Sequence, residues 1–76
     1  MSNEQSMDWA IIERDSDGKG FSGISWHPSN EDASSRAKYL VATAERYHQD
    51  RVFYVVNREK YNEFNRLEAS GMLHLN

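Results

Sequence analysis

Between Ser29 and Gln49 the chain places Ala33, Ala37, Leu40, Val41, Ala44 and Tyr47 at helical spacing, so one stripe is apolar and the opposite face polar. No other stretch is as long or as regular. A one-sided helix of this kind is stable only against a second layer, so the rest of the chain has to supply that layer. The chain has 76 residues and no cysteine. A domain of this size buries only about 60% of the surface its unfolded chain exposes. Without cysteine there is no disulfide to reinforce it and no thiolate to bind zinc. Stability has to come from packing, from a partner or from self-association.

Ahead of the helix, Trp9 to Arg14 is rich in β-branched and aromatic residues and reads as a strand. Asp15 to Gly20 is a turn cluster with two glycines, and Phe21 to His27 alternates apolar and small polar residues, which makes a hairpin. With Arg14 opposite Phe21, a regular ladder sets Ile11 opposite Ile24 and Trp9 opposite Trp26. These four side chains then share a core face with Glu13 and Ser22, while Ala10, Ile12, Arg14, Phe21, Gly23 and Ser25 take the other.

His27-Pro28 ends the second strand, Ser29 or Asn30 caps the helix, and Glu31 and Asp32 suit its first turn. Val52 to Val56 is five consecutive strand formers without a charge. Asn57 follows as an N-cap, with Val56 and Tyr61 spaced as a hydrophobic staple. Tyr61, Phe64 and Leu67 continue one stripe, and Gly71 is placed for a left-handed C-cap closed by Met72 and Leu67. The predicted fold is a small single α+β domain over residues 8–76, in β-β-α-β-α order with the tail as an optional last strand, after a flexible N-terminus at residues 1–7. A crossover from the second strand puts the third beside the first, giving a three- or four-stranded, mainly antiparallel sheet in order 2-1-3. Both helices are expected on the tryptophan face, leaving the other face of the sheet open.

Twelve acidic residues against nine basic ones give a formal net charge of -3. That is the wrong sign for a general phosphate binder and too mild for a nucleic-acid mimic. No apolar run approaches the ~18 residues that span a membrane. Met1 to Ser6 lacks the basic-then-apolar build of a signal peptide, so the expectation is a soluble, cytoplasmic protein.

Signals for chemistry are weak. Asp15 to Gly20 resembles the start of a calcium loop, but the position that needs a bidentate glutamate holds Trp26, and a hairpin turn uses the same residues. The loop also lacks the glycine spacing and following helix of a phosphate cradle. His27, His48 and His74 show no metal-ligand spacing. A serine nucleophile would need a histidine and an acid brought together by the fold, and no positional motif announces one. Neither metal nor cofactor is expected, and the chain is read as a non-enzyme. Aromatic residues beside basic ones can stack bases, which makes Trp26, His27 and Lys19 the candidates for a nucleic-acid module.

The open face decides the reading. Ile12, Phe21 and Tyr54 lie on it with Arg14 at the margin, and an exposed apolar patch rimmed by charge marks an interaction surface. The competing arrangement has the tail from Met72 to Leu75 folded over it. The functional expectation is therefore a small protein-binding module, a regulator or inhibitor that occludes a larger protein or pairs with itself through Ile12, Arg14, Phe21 and Tyr54. Such proteins are frequent among phage and mobile-element products that block host machinery, an analogy of size and composition alone. Nucleic-acid association through the hairpin is the alternative.

Overall fold

Strand β1 (Trp9–Arg14) lies at the centre of a three-stranded sheet in order β2-β1-β3, flanked by β2 (Phe21–His27) and β3 (Phe53–Asn57), both antiparallel to it. Helix α1 (Asn30–Arg46) connects β2 to β3, and α2 (Arg58–Ala69) follows β3 directly. The computed structural model describes residues 6–76. Element order, strand order and antiparallel pairing are those predicted. Residues 72–76 form no strand, so the sheet keeps three strands among the described residues. Of the expected flexible N-terminus, residues 1–5 lie outside the described residues. Met7 and Asp8 are tied down by Arg58, whose Nη2 donates to the Met7 carbonyl at 2.6 Å and whose Nε donates to Asp8 at 3.2 Å.

The hairpin register starts as expected, with Arg14 opposite Phe21, and then shifts. Ile12 faces Gly23 but Ile11 faces Ser25, leaving Ile24 as the extra residue of a β-bulge. Beyond it Ala10 faces Trp26 and Trp9 faces His27, so the two tryptophans stand on opposite faces of the sheet. This corrects the regular ladder. Ile24 is exposed at the bulge rather than part of a core face.

The helices take opposite faces as well. Ile11 and Val55 face α1, whose Ala33 and Ala44 are buried and whose Ala37 and Leu40 are half-buried. The small alanine side chains let the helix lie close to the sheet. Tyr47 is not on the buried stripe; it is the exposed C-cap. On the other face Ala10, Ile12 and Val56 form the core, with Phe21, Trp26, Tyr54, Tyr61 and Phe64 packed against it. Phe21 meets Tyr61 edge-on at 5.4 Å and Phe64 at 6.1 Å, while Trp26 lies 4.8 Å from Tyr61. Each such pair adds about 0.5–1.5 kcal/mol beyond its buried area. A Cβ on Gly23 would stand 3.2 Å from the Tyr61 hydroxyl, so this glycine gives the ring its seat.

The cause of the two-sided arrangement is the Val56–Tyr61 staple. Asn57 both ends β3 and caps α2, accepting from the Lys60 N–H at 2.8 Å, so no loop is left to redirect the helix. Tyr61 can reach Val56 only on the face into which Val56 points, which is the Ile12 face. Gly71 closes α2 in the left-handed conformation (φ 74°), with the Met72 N–H bonded to the Leu67 carbonyl. The tail then runs back beside the hairpin loop. Leu73 is buried, and the Leu75 N–H donates to the Gly18 carbonyl at 2.7 Å. Gly18 has φ 74°, and a Cβ there would collide with the Leu75 carbonyl. Loop and tail are thus fitted to each other.

Candidate functional site

The four residues expected on an open face do not form one. Ile12 is 0% exposed, and Phe21 and Tyr54 are half-buried under α2. The Tyr54 hydroxyl donates to the Asn76 carbonyl, and Arg14 is half-buried with no partner for its Nε among the described residues. Helix α2 and the tail cover the face, because the staple turns α2 onto it. Ile12, Arg14, Phe21 and Tyr54 are accordingly an interior, and the contact surface expected from them is withdrawn. The nucleic-acid candidates are not brought together either. Lys19 is in the hairpin loop, Trp26 and His27 are at the far end of β2, and the Arg58 guanidinium already stacks on Trp26 at 4.2 Å.

One constellation was not foreseen. The Ser25 hydroxyl and His27 Nε2 are 2.7 Å apart, and His27 Nδ1 is 2.7 Å from an Asp32 carboxylate oxygen. In the neutral ring Nδ1–H donates to Asp32, which leaves Nε2 to accept from serine. This is the hydrogen-bond order of an acyl-transfer triad. Such a site also needs N–H donors converging on the oxyanion position and room for a substrate. Neither cavity described below reaches Ser25. The relay joins the end of β2 to the first turn of α1 across the His27-Pro28 corner. There the Asp32 N–H is also capped by Ser29 at 3.0 Å.

A polar cavity of about 340 Å³ opens at the loop end of the sheet between Glu13, Arg14, Asp15, Ser22, Asp50 and Val52. Its Glu13 is committed to a bidentate pair with Arg51, at 2.7 and 2.9 Å. That hydrogen bonding holds the Glu13 carboxyl below its ordinary range and outweighs the opposing effect of burial. Among the described residues no three histidine, aspartate or glutamate side chains are placed to hold a metal ion. In the hairpin loop Asp17 accepts from the Lys19 N–H at 2.9 Å, as a turn aspartate does.

The second cavity is apolar. Ala37, Val41 and Ala42 of α1 and Val55 of β3 line an open trough of about 380 Å³, with Lys38 and Glu45 on its rim. Val41 is 40% exposed, although the helical stripe predicts it inward. The trough borders β3 at Val55, and β3 is an edge strand that pairs only with β1 among the described residues. Its hydrogen-bond phase is fixed by the Arg14 N–H, which donates to the Val52 carbonyl at 2.9 Å. By alternation Val52, Tyr54 and Val56 address β1, whereas Phe53 and Val55 turn their N–H and C=O groups outward and Asn57 its N–H, the Asn57 C=O serving the first turn of α2. The sequence signals were Val41 at the margin of the stripe and an uncharged strand assigned to an edge.

No protein-family model matches the chain, and no curated protein or solved structure matches it.

Proposed function

We propose that this chain is a small non-enzymatic protein-binding module whose contact surface is the trough between α1 and the free edge of β3. The observation that carries the reading is the coincidence of two unsatisfied features at one place. The trough offers apolar side chains, Ala37, Val41, Ala42 and Val55, and β3 beside it offers backbone groups that pair with no further strand among the described residues. An extended segment of another polypeptide that pairs with β3 would cover both at once, gaining backbone hydrogen bonds from the edge and apolar burial from the trough. The module works by covering a surface, as a regulator or inhibitor does by occlusion. The Ser25–His27–Asp32 relay is assigned a structural duty within this reading.

The experiment is affinity capture with tagged wild type beside Val41→Glu, both checked for folding by circular dichroism. Val41 is exposed, so the charge is expected to be tolerated by the fold and not by the contact. Retention of one polypeptide by the wild type alone supports the trough as the binding surface. Identical retention by both baits removes it.

A further inference from the structure

Resting on the reading of the trough as a binding surface, we infer that its occupant is a second copy of this chain, joined edge to edge through β3 about a two-fold axis. The reason is self-complementarity. Lys38 and Glu45 stand equally far on either side of the Val41–Ala42 step, on the rim of the same trough. Two α1 helices laid antiparallel about an axis at that step bring Lys38 of each copy to Glu45 of the other. Val41 and Ala42 then meet in the middle. An isologous contact requires this kind of patch, in which each residue faces its complement under a two-fold rotation.

The sheet obeys the same operator. The outward backbone groups of β3 belong to Phe53, Val55 and Asn57, so Val55 is the centre of the free edge. An antiparallel pairing of two β3 strands centred on Val55 sets Val55 against its own copy and Phe53 against Asn57. Val55 lines the same trough as Val41 and Ala42, so a single two-fold axis there serves both the strands and the helices in the dimer inferred. The sheet becomes continuous through both copies, with the two α1 helices side by side on one face. A foreign strand would have to supply the matching charges, whereas a second copy carries them.

The other edge of the sheet shows what an edge built to stay single looks like. β2 carries a bulge at Ile24 and is stopped at His27 by Pro28, both of which discourage strand addition. β3 has neither device: Phe53 to Val56 is regular, uncharged and proline-free.

The test is sedimentation velocity of the full chain from micromolar to millimolar concentration, for wild type, Lys38→Glu, Glu45→Lys and an equimolar mixture of the two variants. Each variant alone sets like charges against each other and is expected to weaken self-association at least about tenfold. In the mixture one chain carries two acids and the other two bases at the rim, so a heterodimer forms about as tightly as the wild-type dimer. Both substitutions fall on exposed helix positions, and circular dichroism checks the fold. A wild type that stays monomeric at millimolar concentration overturns the inference. So does a dimer whose dissociation constant neither variant changes. A photo-crosslinking residue at Val41 separates this failure from failure of the binding surface itself. Crosslinks from monomeric protein to a different chain would leave the surface standing and remove the second copy, whereas no crosslinks at all would remove both.

Discussion

His27 is half-buried and is held by hydrogen bonds at both ring nitrogens, to Ser25 and to Asp32. Removing the ring leaves Ser25 without its side-chain partner and frees the first turn of α1 from β2. His27→Ala is expected to cost about 1–2 kcal/mol in urea unfolding, and Ser25→Ala less than about 1 kcal/mol. Adding Asp32→Ala to His27→Ala should cost little more, because both act through one contact. A serine-directed fluorophosphonate is expected to leave Ser25 unmodified, and stoichiometric labelling would reassign the relay to catalysis. His48 is the other residue whose backbone carries a consequence. It closes α1 at φ 57°, with the Gln49 N–H bonded to the Ala44 carbonyl, in a conformation that favours glycine. His48→Gly should raise stability by about 0.5–1 kcal/mol, since it relieves a left-handed side chain at an exposed position.

Element by element, the boundaries follow the sequence closely: Ser29 caps α1, Asn57 caps α2 and Gly71 ends it. Local signals of this kind were legible because each depends on one or two neighbouring residues. The face of each element depends on parity, and there a single residue is decisive. The bulge at Ile24 moves Trp26 to the face opposite Trp9, and the one local sign of it is Gly23, which suits an edge strand as readily as a bulge. The placement of α2 was legible in principle. A staple between Val56 and Tyr61 cannot form while Val56 points away from α2, so the staple itself excluded an open Ile12 face. The trough was hidden for another reason: the order 2-1-3 makes β3 an edge, but only the packing of α1 sets an exposed Val41 beside it. Between elements, Arg51, two residues ahead of β3, holds Glu13 near the end of β1. The Glu13 carboxyl is depressed from its ordinary value of 4.5, first by its hydrogen bonds from Arg51. A carboxyl that binds its proton less readily in the folded state stabilises fully above the unfolded value and loses that contribution as pH falls through the folded one. Stability measured below about pH 4.5 should therefore decline more steeply in the wild type than in Arg51→Gln. Parallel curves would show that the pair contributes nothing to the acid limb.

At the scale of the molecule, two thin cores share one strand. Ile11 and Ile12 are the largest fully buried side chains, adjacent on β1 and pointing to opposite faces. Ile11 faces α1 and Ile12 faces α2, so neither helix has a core without β1. At about 0.05–0.15 kcal/mol per residue, the whole chain has roughly 4–11 kcal/mol of stability. An isoleucine-to-alanine change costs about 2–5 kcal/mol, a large part of that total. Loss of either face should therefore dissolve the sheet under the other. The tryptophans make this measurable, since Trp9 lies on the α1 face and Trp26 on the α2 face. Trp9→Phe leaves one reporter for the α2 layer, and Trp26→Phe leaves one for the α1 layer. In each single-tryptophan protein, the fluorescence transition in urea should coincide with that protein's far-ultraviolet dichroism. Ile11→Ala should lower the midpoint seen by Trp26 as much as the midpoint seen by Trp9, although Ile11 points away from Trp26. A Trp26 transition unmoved by Ile11→Ala would show that α2 and the tail close their face of the sheet independently of α1.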